Sequence, residues 1–525
     1  MADKTDGSWR PAEQASASWA GRGQEAGEWG QAGQEAVDWA GAGAWGRPAA
    51  DVPNRLAILG VLLVGAFMIL LDATIVNVAI PTIQRGMHAS DGAIEWIVSG
   101  YALTYGLLLI PAGRLGDRFG HKKTYLAGLA GFTAASVLCG TSTSTAELVA
   151  WRVVQGAMAG ILNPPIMAII QEIFPPKERG KAFGIYGAVA GLATALGPLA
   201  GGLLIAWNLH GWGWRPVFLV NLPIGILGLA AALRLVPESR GQRASLDLVG
   251  VALVSAVFVL ITYPLTEGQG RGWPPWTFAS LAAALPVLGL FIGWERLTAR
   301  RGKTPLVNLE LFGTRAFSSG TAVSLAYFAG FVGLVFVLSV YLQVGLGWSA
   351  LHAGLAILPF AVGTFAGAAA SDQVAQRIGR RALQLGSVIV ALGTLATILL
   401  IHAEGPRVSG VQLLPALLAA GIGNGLMIAP LTTIVLSAVP WQEAGSASGV
   451  LSAAQRLGQG LGVAIVGVAL FGSLGAPHAV TRARVAQEFT HGTQVASLYV
   501  LAAMIGTAAL IPLLPRGGQH EEWSG

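Results

Sequence analysis

The chain has 525 residues, of which 54% are hydrophobic and 11% charged, with mean hydropathy +0.62 and a net charge of +6. A soluble domain carries about 25% charged residues, so there is too little polar surface here to cover a water-soluble body. The lone Cys139 excludes an internal disulfide and a cysteine-rich metal site.

Residues 1–50 are rich in Gly, Ala, Gln and Trp and hold no apolar run. Trp9, Trp19, Trp29 and Trp39 recur every ten residues, about 2.8 helical turns, so these rings do not line one face. The segment reads as a low-complexity, disordered tail; a Trp-anchored contact with the membrane surface or a partner is the competing reading. Fourteen apolar spans follow, at 56–79, 92–112, 123–141, 146–170, 181–206, 214–235, 246–266, 276–297, 316–341, 351–371, 382–401, 411–436, 447–472 and 494–514. Each suffices to cross a bilayer as a helix, so an all-α polytopic membrane protein is expected. An even span count puts both termini on one side. The loops on the side of segment 113–123, with the C-terminal tail, hold 19 Lys/Arg against 6 in the opposite loops. By the positive-inside rule, both termini are expected in the cytoplasm. The net positive charge is thus a topology effect and does not argue for nucleic acid. Basic residues are mostly Arg, with six Lys, a hint of a GC-rich bacterial genome.

The first span holds Asp72, in Leu71-Asp-Ala-Thr-Ile-Val-Asn-Val-Ala-Ile-Pro81. A carboxylate at that depth costs about 2.5–3.5 kcal/mol on insertion scales and needs a partner or a function. Span one runs outward and span four inward, so Asp72 and Arg152 share the outer half and can pair. The pair is either a fixed structural bridge or a site that gains and loses a proton as its surroundings change. Gln155 lies one turn from Arg152, on the same helix face. Glu95, near the start of span two, is a second titratable candidate or an interfacial residue.

Between spans two and three, Gly113-Arg-Leu-Gly-Asp-Arg-Phe-Gly-His-Lys-Lys123 is expected to be a charged loop. Asp117 is placed to meet the amides of a helix N-terminus, and Arg118, Lys122 and Lys123 to pair with acids near other helix ends. Span five carries Gly191-Leu-Ala-Thr-Ala-Leu-Gly-Pro-Leu-Ala-Gly-Gly202, in which Gly191, Gly197, Gly201 and Gly202 permit close helix packing and Pro198 is expected to kink the helix. Arg456 in span thirteen either snorkels to the interface or faces a cavity. Asn77, Asn163, Asn221, Gln343 and Asn424 are polar residues within or at the ends of spans, read as helix–helix glue with one or two touching a ligand.

An internal repeat organises the chain. Gly160-Ile-Leu-Asn-Pro-Pro165 recurs loosely as Gly425-Leu-Met-Ile-Ala-Pro430, and Glu178-Arg-Gly-Lys-Ala-Phe-Gly184 as Glu443-Ala-Gly-Ser-Ala-Ser-Gly449, both at an offset of 265. The charged segment recurs at an offset of 259 as Gln376-Arg-Ile-Gly-Arg-Arg381, with Gln376 in place of Asp117. The expected divisions are a tail (1–50), a six-helix bundle (51–240), two inserted spans (241–300), a second six-helix bundle (301–515) and a short tail (516–525). On this reading the charged latch is one-sided.

The 71–81 segment, the 113–123 segment, Arg152 with Gly156, the 191–202 segment and Trp212-Gly-Trp-Arg-Pro-Val-Phe-Leu-Val-Asn-Leu-Pro-Ile-Gly225 occur in order. Together they resemble the fourteen-span drug:proton antiporter family of the major facilitator superfamily. The resemblance implies a major facilitator fold in the cytoplasmic membrane and export of amphipathic, often cationic or aromatic, compounds. It also implies protons as the coupling ion, with no other cofactor or metal, no enzymatic activity and a monomer. It assigns proton coupling to Asp72 and Arg152, and a conformational latch to Gly113, Asp117, Arg118 and Gly120. Asn77, Gln155, Asn163, Gln343, Asn424 and Arg456 are the candidate substrate contacts. Alternatives are a dedicated exporter of one self-made metabolite or lipid, an uptake symporter, and a non-transporting membrane sensor.

Overall fold

Backbone in hydrocarbon must satisfy its own hydrogen bonds, and apolar runs of this length do so as helices. The computed structural model describes residues 52–207, 211–238, 247–268, 271–437, 439–440, 443–473 and 481–514; the tails expected at 1–50 and 516–525 lie outside the described residues. Among the described residues fourteen long helices run in order: α1 (Arg55–Met87), α2 (Asp91–Phe119), α3 (His121–Thr141), α4 (Thr145–Ile173), α5 (Pro176–Trp207), α6 (Pro216–Leu235), α7 (Leu248–Glu267), α8 (Pro275–Arg300), α9 (Arg315–Val340), α10 (Ala350–Ile378), α11 (Arg381–Glu404), α12 (Gly410–Ser437), α13 (Ala444–Gly472) and α14 (Arg482–Leu510). Thirteen are long and apolar enough to cross a bilayer as single helices, and α5 adds a bent span. That bend is 42° between Glu178–Thr194 and Leu199–Trp207, across Pro198, where the missing N–H interrupts the ladder.

The segment expected to be a loop is mostly helix. α2 continues through Gly113, Asp117 and Arg118 to Phe119, and α3 starts at His121. Gly120 alone breaks the run, with φ +98°, a conformation that L side chains rarely adopt. A helix leaving the bilayer keeps its own hydrogen bonds, so charge by itself does not end it. α10 behaves alike, running past Gln376 to stop at Gly379 with φ +58°.

The helix pairings repeat at an interval of eight. In the first bundle α2 packs on α4, α3 on α4, α1 on α5, α3 on α6 and α1 on α6. In the second, α10 packs on α12, α11 on α12, α9 on α13, α11 on α14 and α9 on α14. Two six-helix bundles result, joined through α2 against α13 and α5 against α10 and α12. The inserted α7 and α8 pack on each other, and α7 also lies on the α2–α13 seam.

Small residues set the tightest approaches. Gly156 and Gly160 of α4 face the carbonyls of Tyr101 and Tyr105 of α2; their counterparts 265 residues on, Gly421 and Gly425, face the carbonyls of Phe360 and Thr364 of α10. A Cβ at Gly160 would lie 2.6 Å from the Tyr105 oxygen. Without a hydrophobic drive between helices in lipid, such backbone contact supplies much of the association. By contrast, a Cβ at Gly202 meets nothing within 4 Å. Gly421→Leu is therefore expected to abolish a monodisperse peak in size-exclusion chromatography of detergent extracts, and Gly202→Leu to leave peak and melting temperature unchanged.

Candidate functional site

In the first bundle five helices meet around one buried carboxylate. Asp72 on α1 is 0% exposed and Arg152 on α4 is 1% exposed. The Arg152 Nη1 donates to Asp72 Oδ2 at 2.5 Å and to Gln155 Oε1 at 2.8 Å. Gln155 Nε2 in turn donates to Asp72 Oδ1 at 2.9 Å, and Asn221 Nδ2 on α6 to the same oxygen at 3.4 Å. Arg152 Nε donates to the Ile97 carbonyl at 3.0 Å. Asn221 is held by Ser136 of α3, 2.9 Å away, which donates to the Phe218 carbonyl. Both carboxylate oxygens thus face donors only. A buried pair survives desolvation when its remaining hydrogen-bonding positions are filled.

An aromatic stack leads away from this cluster. The Arg152 guanidinium lies 4.1 Å from the centroid of the Tyr101 ring. Tyr101 and Tyr105, one turn apart on α2, are stacked at 6.3 Å and 13°. Arg456 of α13, in the other bundle, lies 4.1 Å from the Tyr105 ring centroid. It does not snorkel outward; its Nη1 donates to Gln459 at 3.0 Å, and among the described residues no acid pairs with it. Nearby, Asn163 crosses the same seam, donating to Ser452 at 3.2 Å and accepting from Tyr186 at 3.3 Å.

The charged end of α2 meets the start of α13. Asp117 Oδ1 accepts from the Gly445 amide and Oδ2 from the Ser446 amide, both at 3.1 Å. The carboxylate therefore sits on a helix N-terminus, where free amides and the helix dipole favour an anion. That helix is α13 of the opposite bundle; the nearer α3, whose start lies beside Asp117 in sequence, is not the one engaged. Gly113 allows this, since a Cβ there would strike the Gly445 carbonyl. Arg114 lies 3.5 Å from Asp117. His121 bridges Asp117 at 3.2 Å and Glu172 of α4 at 2.5 Å. Lys122 pairs with Glu238 at 3.2 Å. Arg118 lies over the Phe119 ring and Lys123 is exposed; among the described residues neither forms an ion pair. The segment after α8 ties into the same point: Ser446 donates to the Leu306 carbonyl, Val307 N–H to Glu295, and Asn308 to Glu443.

The second seam also carries an acid, which corrects the expectation of a one-sided latch. Gln376 turns back to Asp372 of its own helix at 2.9 Å. Asp372, one turn earlier, lies against Gly180 of α5, the repeat counterpart of Gly445; a Cβ at Gly180 would come 2.6 Å from Asp372 Oδ1. Aligning the repeat on Gln376 hides this, because the acid has moved by one turn.

The Major Facilitator Superfamily profile matches residues 62–463. The chain belongs to the Major Facilitator Superfamily. It is a multi-pass membrane transporter of small molecules, and not an enzyme. It is 41% identical over 424 residues to the probable actinorhodin transporter of Streptomyces coelicolor, covering 80% of this chain and 73% of that one. It is 34% identical over 436 residues to the tetracenomycin C resistance and export protein of Streptomyces glaucescens, covering 82% and 78%. In fold it is similar to the human organic anion transporter MFSD10, with TM-score 0.59, 16% identity, and coverage of 87% of this chain and all of that one.

The remaining candidates scatter across the transporter. Asn424 is buried glue inside the second bundle, donating to Thr364 at 3.0 Å and accepting from Tyr327. Gln343 is exposed at the end of the ninth span and bonds Ser339, and Asn77 is exposed and turns to its own backbone. Gly197 and Gly201 pack on Thr74 and Ile75 of α1, whereas Gly191 packs across the seam on Thr364. The side chains of Glu95 and Pro198 lie outside the described residues. Tyr101, Tyr105, His121, Glu172 and Asp372 escape notice in sequence; the i, i+4 tyrosine pair was the available signal.

Two outcomes follow from this geometry. Arg152→Met should destabilise the transporter by about 3–5 kcal/mol, because it strands a buried carboxylate; adding Asp72→Asn should recover most of that loss, read as melting temperature in a double-mutant cycle. At the seam, spin labels on the exposed Lys123 and Arg315 should report one short distance population by electron–electron resonance. Asp117→Asn should add a longer one, and Gln376→Asp should not.

Proposed function

We propose that this transporter exports amphipathic small organic compounds across the cytoplasmic membrane in exchange for protons, by alternating access, with Asp72 as the proton-carrying group. The observation that carries the reading is the Asp72–Arg152–Gln155–Asn221 cluster, an ionisable group deep in a span with every contact a donor. Protonating Asp72 would place a hydrogen against those donors and release Arg152 toward the Tyr101 face. A change of bundle arrangement that loosens the cluster would favour the protonated acid, which links proton movement to the alternation. The Lys/Arg bias supports a cytoplasmic position for the Asp117 seam; on that reading the arrangement described is closed toward the cytoplasm. The export direction rests on the two bacterial relatives, named for transport or export of actinorhodin and tetracenomycin C. The second reading is a pump dedicated to one self-made metabolite or lipid, since each of those relatives is named for a single compound.

Everted membrane vesicles loaded with a panel of fluorescent aromatic compounds test the proposal. Uptake should depend on an imposed pH gradient, and Asp72→Asn should remove that dependence while the protein still inserts to the normal level. Normal, gradient-dependent uptake by Asp72→Asn would show that Asp72 does not carry the coupling.

A further inference from the structure

Arg456 is the one charged side chain at the middle of the bundle seam for which the fold supplies no countercharge among the described residues. Its level is set by Tyr105, which stands midway between Asp91 and Phe119, the ends of α2. A guanidinium at that depth calls for an anion or a water-filled path. Among the described residues no acid lies within ion-pair distance of Arg456. Asp72 is held by Arg152, Gln155 and Asn221, and the Glu267 carboxylate, on α7, has Arg271 at 2.9 Å. The Tyr105 ring gives a π face but no charge.

The internal repeat sharpens the point. Offsets of 265 and 259 carry Arg456 and Tyr105 onto Gly191 and Thr364, which touch at the other seam. There a Cβ on Gly191 would lie 3.0 Å from the Thr364 methyl, so the two helices approach closely on small residues. Packing two bundles at this level therefore needs neither a cation nor an aromatic ring. The first seam adds both, and surrounds them with polar groups at hand: Gln459 on Arg456, and Asn163 with Tyr186 one step along the seam.

We infer that Arg456 is the recognition site for an acidic group of the transported compound, and that the substrate class is aromatic anions, phenolates or carboxylates. The anion pairs with the guanidinium in a bidentate, charge-assisted contact, and the ring system takes the stacking position beside Tyr105. Binding draws Arg456 from the face of Tyr105, whose partner Tyr101 bears on Arg152. Substrate and proton sites thus share one stack, Arg456–Tyr105–Tyr101–Arg152. This inference rests on the exporter reading above and narrows its substrate.

The test is titration calorimetry of the detergent-solubilised full chain with three ring-matched probes: anthraquinone-2-carboxylate, anthraquinone-2-carboxamide and 2-(aminomethyl)anthraquinone. The carboxylate should bind about tenfold or more tighter than either of the others. Arg456→Gln should equalise carboxylate and carboxamide, and Arg456→Lys should keep part of the difference. The order of the three probes on the unaltered chain decides the matter even if the Gln variant does not fold. Equal binding, a preference for the cation, or a carboxylate preference that survives Arg456→Gln would overturn the assignment, as would no binding by any probe. Everted vesicles separate the two levels of failure. An exporter with the wrong charge assigned still moves the neutral or cationic probe, whereas a protein that is not an exporter moves none.

Discussion

A carboxylate halfway along a membrane-spanning helix has to be answered by other groups, and the first bundle is arranged around the answer to Asp72. It is fully buried. Its charge is met by Arg152, and the remaining lone pairs by Gln155 and Asn221. Those donors come from α4 and α6, and Ser136 of α3 fixes Asn221 in turn. The backbone carbonyl of Ile97 and the ring of Tyr101 hold the guanidinium from the α2 side. The mutual position of five helices is thereby tied to one buried ion pair and its hydrogen bonds.

The seam between bundles works by a different rule. Helices approach so closely at glycines that backbone touches backbone or a carboxylate touches backbone. At the α2–α13 seam the contact carries a strong electrostatic element, a carboxylate on two free amides of a helix N-terminus. At the α5–α10 seam the corresponding acid, Asp372, lies against Gly180, four residues into its helix, beyond the free amides. The two seams are related by the repeat yet unequal in their contacts. The segment after α8 bonds the same turn of α13 through Leu306 and Asn308, giving the inserted helices a hold on that seam.

Between the buried acid and the seam lies the Tyr101–Tyr105 stack, with a guanidinium on each outer face. One guanidinium has a carboxylate partner inside its own bundle; the other has crossed from the opposite bundle and has none among the described residues. That imbalance makes the middle of the transporter asymmetric in charge as well as in shape.

Much of this was legible in the residues. Span number, the two-bundle repeat, the pairing of Asp72 with Arg152 and Gln155, and the bend at Pro198 follow from hydropathy, from matched depths and from local backbone chemistry. These are properties of short stretches or of simple counting along a bilayer normal. The sequence by itself could not say which helix N-terminus Asp117 caps, that Asp372 stands in for Gln376, that Asn163 crosses a seam while Asn424 stays within its bundle, or that Arg456 looks inward without an acid. Each of these depends on the rotation of a helix about its own axis and on which neighbour it faces. Those are set by glycine contacts between helices far apart in the chain, so only the tertiary structure decided them.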